Sequence, residues 1–319
     1  MGLGVNELRA IAFGKRLGLL QLDQTVTLGR QQTFLSPCDY DQLVKMSVLP
    51  KAEFPDSDFA EPLLKSLDAS VVESIDASDY EGASIIADFN EPLEEQHHGK
   101  FTCFIDFGAM EHIFNAHQVL VNINKILRPN GTALLLVPAN GYLGHGFYQF
   151  SPEFFYSTLI PRNGFSETIV ILIDWDRPEN WYYVKSPTAL QDRNQASNNR
   201  YQLLCFTRKI ATIDSIYAQQ SDYVNLLWTQ KEYKYECAPN PTNRSINRRI
   251  KSFILRQSPT LLQDLWTIYR DERWSKKMFA SQTVMFNPER VSGREHLEAI
   301  VSHCIAAMGI DIVAWWMLI

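Results

Sequence analysis

Phe101-Thr102-Cys103-Phe104-Ile105-Asp106-Phe107-Gly108-Ala109-Met110-Glu111-His112 begins a stretch that decides the fold class, and it is completed by Ala133-Leu134-Leu135-Leu136-Val137. The first six residues form an apolar run that stops at Asp106, as a strand does where it leaves a sheet. Val119, Leu120, Ile123, Ile126 and Leu127 then recur at helical spacing until Arg128-Pro129-Asn130-Gly131 breaks the pattern. The closing run, residues 133–137, is apolar without alternation, which is expected of a strand with helices over both faces of its sheet. The unit reads as β-α-β. In an open parallel sheet ligands bind beyond the carboxyl ends of the strands, so Asp106, Glu111 and His112 are expected at that crevice.

Together with Val137-Pro138-Ala139-Asn140, these residues resemble the fourth-to-fifth strand region of class I S-adenosylmethionine-dependent methyltransferases. The resemblance implies an α/β fold, a Rossmann-like doubly wound sheet, mostly parallel with a C-terminal antiparallel hairpin. It makes Val71–Asp76 the second strand, with Asp76 accepting from the ribose hydroxyls of the cofactor, a task suited to a carboxylate facing two vicinal donors. It makes 84–90 the third strand, with Asp88 contacting the adenine amino group, and it places Asp106 and Phe107 in the cofactor crevice. The first motif falls on Thr25-Val26-Thr27-Leu28-Gly29-Arg30-Gln31-Gln32, which has one glycine where the family has two or three. Side chains in such a turn limit how closely the backbone approaches a ligand. Arg30 is expected to compensate by pairing with the methionine carboxylate. The long interval to Asp76 suggests an insertion around 46–61, where Pro50, Pro55 and Pro62 cluster.

Downstream lies Gly141-Tyr142-Leu143-Gly144-His145-Gly146-Phe147-Tyr148-Gln149-Phe150-Ser151-Pro152, whose glycines and aromatics around a histidine describe a shaped loop over the crevice. Ser151 is expected to cap a helix with Pro152 in its first turn. The loop resembles a string found in a subset of bacterial methyltransferase-like proteins. His112 and His145 are the candidate general bases, since imidazole takes up a proton near neutral pH, with Glu111 beside them and Tyr148 to orient an acceptor. The plainer reading of each is also open: Asp76 capping a turn, Asp88 beginning a loop, Glu111 as a first-turn acid of a helix starting near His112, His145 bonded to backbone, Tyr148 packing. His97-His98 precedes Gly99 without an acid at metal-ligand spacing, and no metal is expected.

The chain has 319 residues, 45% of them hydrophobic and 21% charged, as in ordinary globular proteins. A net charge of −6 argues against general nucleic-acid binding, which calls for a basic face. The basic run 244–251 reads as a solvated helix face. Five scattered cysteines suggest neither a disulfide framework nor a metal knuckle, and a reducing, cytoplasmic setting is expected. Arg9, Lys15, Arg16 and Asp23 interrupt any apolar core of a secretory signal. The apolar tail 299–319 contains His303 and Asp311, so a packed terminal element or protomer contact is expected rather than membrane insertion.

Three segments follow: an N-terminal helical segment over 1–24 against the sheet edge, a methyltransferase-like domain over 25–210, and a mainly helical extension over 211–319. Within the second, 167–174 and 201–208 form the antiparallel hairpin. The extension is open to three roles: a lid, acceptor recognition, or dimerisation as a homodimer. The expected function is methyl transfer from S-adenosylmethionine to an oxygen or nitrogen of a small-molecule acceptor, such as a sugar or secondary metabolite. The alternative is a catalytically inactive methyltransferase-like binding or assembly subunit. A nucleotide-dependent oxidoreductase is disfavoured because no Gly-x-Gly-x-x-Gly opens a helix.

Overall fold

The structure is a computed structural model that describes residues 2–186, 199–220 and 283–299. The elements run β1 (Gly2–Leu3), α1 (Val5–Arg16), β2 (Gln24–Leu28), β3 (Gln32–Thr33), α2 (Pro37–Lys45), α3 (Glu61–Ser66), β4 (Val71–Asp76) and β5 (Ile85–Ile86). There follow β6 (Phe101–Phe107), α4 (Ala116–Ile126), β7 (Leu127–Asn140), α5 (Pro152–Thr158), β8 (Phe165–Asp174), β9 (Trp181–Val184), β10 (Tyr201–Lys209) and β11 (Thr283–Phe286). Nine strands form one sheet in the order β11-β9-β8-β10-β7-β6-β2-β4-β5. From β7 to β5 the pairing is parallel; β10 then pairs antiparallel with both β7 and β8, and β9 and β11 continue antiparallel. This is the expected Rossmann-like sheet with its antiparallel hairpin, extended by two further strands.

Strands β6 and β7 carry apolar side chains on both faces because both faces are covered. Cys103, Ile105, Phe107, Leu134 and Leu136 pack with α1, α2 and α3, while Phe104, Ala133, Leu135 and Val137 are buried towards the other face, where Phe104 stacks on Phe89 at 6.0 Å. Burying each large side chain stabilises the fold by about 1.5–3 kcal/mol relative to exposure. The helices begin where polar caps dictate. Ser36 and Asp39 form a reciprocal capping box at α2, Asn115 accepts the Gln118 N–H at α4, and Ser151 accepts the Phe154 N–H at α5. Each cap contributes about 1 kcal/mol.

Several expectations change. The N-terminal helix spans 5–16, not 1–24, and lies on the sheet's face rather than its edge. Phe13 meets Trp181 at 5.3 Å, Phe206 at 6.0 Å and Phe286 at 5.7 Å. Such close approach needs Gly14, whose missing Cβ would stand 2.5 Å from the Phe206 ring. The third strand shrinks to Ile85–Ile86. No helix starts at His112: Met110–His112 is a single 3-10 turn and α4 begins only at Ala116. The Pro129-Asn130-Gly131 turn falls inside β7, where Asn130 takes a left-handed conformation with φ 65°.

The chain divides into one compact unit comprising 1–187, 199–218 and 283–319 and another comprising 188–198 and 219–282. Apart from 219–220, the second lies outside the described residues. So do the basic run 244–251, the helix expected from Ser258 and the tail from 300 onward. Within the region expected to be a helical extension, residues 283–286 instead form a strand, which pairs with β9 at the sheet's edge. Among the described residues, no helix is long and apolar enough to cross a membrane.

Candidate active site

The site is built from the end of β6. Asp106 is fully buried and accepts the backbone N–H groups of Ala109 at 2.8 Å and Met110 at 3.1 Å. These bonds close a tight turn through Gly108, which has φ 86°. Both oxygens of Asp106 are thus engaged within the turn, where its carboxylate positions the next residues. Burial, and next the charge of Glu111, raise its pKa to about 8.

The turn delivers Glu111 to a buried position, 1% exposed, with Oε1 3.3 Å from Nε2 of His145. Its other oxygen, Oε2, is buried and has no hydrogen-bond partner among the described residues. Desolvation raises the Glu111 pKa to about 7. The His112 ring meets the His145 ring edge-on at 4.8 Å, and partial burial, followed by the neighbouring His145, lowers the His112 pKa below its ordinary value. Glu111, His112 and His145 each offer one donor atom, and the three atoms lie within 4.8 Å of one another.

His145 reaches this position because its loop is fastened to Glu111 itself. The Phe147 N–H donates to the Glu111 carbonyl at 2.7 Å, and Gly146, with φ 71°, lies so close that a Cβ there would sit 2.6 Å from the same oxygen. The loop is also tied internally, by the Tyr142 N–H to Gln149 Oε1 at 2.9 Å, and sideways, by the Tyr148 hydroxyl to the Phe114 carbonyl at 2.6 Å. Tyr148 therefore holds the loop through its hydroxyl, and it is not among the residues lining the cavity described next.

That cavity has a volume of about 640 Å³ and lies beyond the carboxyl ends of the central strands, lined by Phe107, Gly108, Glu111, His112, Leu136, Pro138 and His145. Its size suits a small organic ligand. Gly2, Gly4, Val5, Asn6 and Glu7 from the N-terminal segment, Phe34, the α2 residues Asp39 and Gln42, and Tyr142, Trp175, Pro178 and Gln202 complete the wall. None of these last twelve was assigned to a site from sequence; Tyr142 belongs to the glycine-flanked loop, and nothing local marks the others. Among the described residues, four that line this cavity carry a buried polar atom with no partner: Asn6 Oδ1, Glu111 Oε2, the Tyr142 hydroxyl and Gln202 Oε1. Buried polar groups are normally satisfied, so their convergence marks a place for a polar ligand.

The remaining predicted residues lie on the same rim, towards β2, β4 and β5. Gly29 follows β2 with φ 70°, and its N–H donates to the Ile75 carbonyl at 2.6 Å, next to Asp76 at the end of β4. Beyond Gly29 the chain does not turn into a helix but runs extended into β3, alongside β1. Arg30 is engaged locally: Nε donates to Glu61 at 2.7 Å, a terminal nitrogen to the Glu81 carbonyl at 2.8 Å, and the guanidinium stacks over Phe59 at 3.8 Å. The region 46–61, expected as an insertion, supplies Phe59, and Asp58 and Ala60 flank it with backbone bonds to Thr33 and Gln31. Asp76 is half-buried, and its Oδ1 accepts the Ser78 N–H at 3.2 Å. Asp88 is exposed and closes a turn by accepting from Asn90. Neither aspartate lines the cavity.

No protein-family profile matches the chain, and no curated protein matches it. Among solved structures it is similar in fold to the Burkholderia thailandensis 1,6-didemethyltoxoflavin-N1-methyltransferase, crystallised with S-adenosylhomocysteine. The identity is 14% and the TM-score 0.35, over 65% of this chain and 79% of that one. A Thermotoga maritima S-adenosylmethionine-dependent methyltransferase is 12% identical, with TM-score 0.34 over 65% of this chain and 92% of that one. The Thermus thermophilus branched-chain polyamine synthase is 15% identical, with TM-score 0.34 over 67% of this chain and 59% of that one. Likeness at this level does not assign a reaction to the chain.

Proposed function

We propose that the protein transfers a methyl group from S-adenosylmethionine to an oxygen or nitrogen of a small polar molecule held in the cavity. The observation that carries this reading is the cavity at the carboxyl rim of the parallel strands, lined by two histidines and by four residues that each carry a buried, unpartnered polar atom, the glutamate among them. The rim residues fit the cofactor in part. The half-buried Asp76, with Oδ2 free of bonds to described residues, suits the ribose hydroxyls, while Gly29 and Gly108 present backbone without a side chain. Arg30 and Asp106, bonded elsewhere, are left out of this set. The cofactor, when bound, supplies an electrophilic sulfonium methyl.

The protein's own part is alignment, exclusion of water and handling of one proton. Asn6, Tyr142 and Gln202 supply hydrogen-bonding groups that orient the acceptor. His145, held by Glu111 at 3.3 Å, is the group that takes a proton from an acceptor hydroxyl or ammonium.

Calorimetric titration with S-adenosylmethionine, S-adenosylhomocysteine and NAD tests the reading. Micromolar binding of the first two, weakened at least tenfold by Asp76→Ala, is expected. Binding of none supports a second reading, an inactive binding subunit on this fold, favoured by Arg30 being spent on Glu61 and by the extended chain after Gly29. Binding of NAD alone would overturn both.

A further inference from the structure

Glu111 and His112 are neighbours in sequence, but His145 joins them only in the folded chain, through the loop fastened to the Glu111 carbonyl. We propose that Glu111, His112 and His145 form a binding site for a divalent transition-metal cation of zinc-like ligand preference. Two imidazoles and a carboxylate are a donor set that such ions take, typically with a coordination position left for water or a ligand atom.

The distances fit. Tetrahedral zinc with bonds of about 2.0–2.1 Å has donor atoms about 3.3 Å apart along each edge. The Glu111 Oε1 to His145 Nε2 distance is 3.3 Å. The third donor, on His112, is within 4.8 Å of both, and the side chain is exposed, so a modest rotation about its own bonds completes the set.

A Glu–His hydrogen bond alone accounts for less of what is seen. It leaves Glu111 Oε2 desolvated with no partner, although the side chain is 1% exposed and lines the cavity. It also gives no part to His112, whose donor atom lies within 4.8 Å of the other two. A cation on Oε1 compensates the charge of the buried carboxylate and engages both imidazoles at once, leaving Oε2 and one coordination position for a ligand of the cavity.

The proposal does not rest on the methyl-transfer reading: with a cation bound, His145 is a ligand and the proton passes to another group, and the metal is measured alone. The full-length protein without a histidine tag, stripped with a chelator, is titrated with Zn²⁺ by calorimetry and with Co²⁺ by visible absorption. One equivalent of zinc at micromolar affinity or tighter is expected, with cobalt d–d bands of a four- or five-coordinate nitrogen/oxygen site. Glu111→Gln and His145→Ala, checked for fold by circular dichroism, are each expected to weaken zinc by well over ~100-fold, beyond the 10–100-fold typical of losing a supporting partner. A variant with His97 and His98 both changed to Ala serves as control and keeps full affinity. Saturation below half an equivalent, an octahedral cobalt spectrum unaffected by the variants, or loss of binding only in the control would overturn the site. Zinc binding retained in Asp76→Ala while the cofactor is lost would show the two readings to be independent; cofactor binding without any metal uptake would sink this one alone.

Discussion

Gly146→Ala is the sharpest probe of how the site is held together. Gly146 has φ 71°, and a left-handed backbone costs an alanine about 1–2 kcal/mol. The new Cβ would also stand 2.6 Å from the Glu111 carbonyl oxygen and 3.0 Å from its carbon, both backbone atoms that cannot swing aside. The loop must retreat, and the 2.7 Å bond from the Phe147 N–H to that oxygen goes with it, a further loss of about 1 kcal/mol. Together these weaken loop closure by roughly 2–3 kcal/mol. At about 1.4 kcal/mol per decade, amide exchange at Phe147 should accelerate by roughly 30- to 150-fold. Native-state hydrogen exchange measures this directly, and global stability should fall by less, since the loop can open without the sheet. Gly144→Ala is the matched control: a Cβ there meets nothing within 4 Å, and exchange should stay within about threefold of the parent. Equal protection of Phe147 in both variants would refute the claim that the glycine-flanked loop is pinned to Glu111.

Two further outcomes can be checked without knowing the ligand. Tyr142→Phe removes a buried hydroxyl that has no partner, so chemical denaturation should show stability unchanged or raised by about 1 kcal/mol, while any ligand of the cavity binds more weakly; a clear loss of stability would contradict this. Lys209, 2% exposed, donates to the Asn124 and Leu127 carbonyls at 2.6 and 2.7 Å, and burial, then the nearby Lys125, lower its pKa from 10.5 to about 8. Between these values the unfolded chain binds the proton and the folded chain has released it, so this group's contribution to stability rises with pH from about 8 to 10.5, by at most about 3 kcal/mol. The urea midpoint of the parent should rise relative to that of Lys209→Met across that window, and a difference constant with pH would remove the basis for this statement.

Local patterning carried much of the fold. The apolar run ending at Asp106, the helical spacing of Val119 to Ile126 and the strand closing on Asp76 were legible because hydrophobic periodicity acts within a few residues. The caps at Ser151 and the loop around His145 were legible for the same reason. By contrast, Arg30 was free in the sequence to reach a carboxylate on a ligand, yet it is held by Glu61, 31 residues away, and stacked on Phe59. The part Asp106 takes in its own turn was equally hidden, since its bonds to the Ala109 and Met110 N–H groups depend on how tightly the chain doubles back at Gly108.

The amino-acid order alone determined that this chain builds a covered parallel sheet and that its acids and histidines gather at the carboxyl rim. Only the tertiary structure decided which of them share a cavity. Asn6, Tyr142 and Gln202 converge with Glu111 across almost 200 positions of sequence because helix α1 lies across the sheet's face and β10 returns beside β7. Burial and the absence of a partner, the properties that make those atoms a site, belong to no single stretch of the chain.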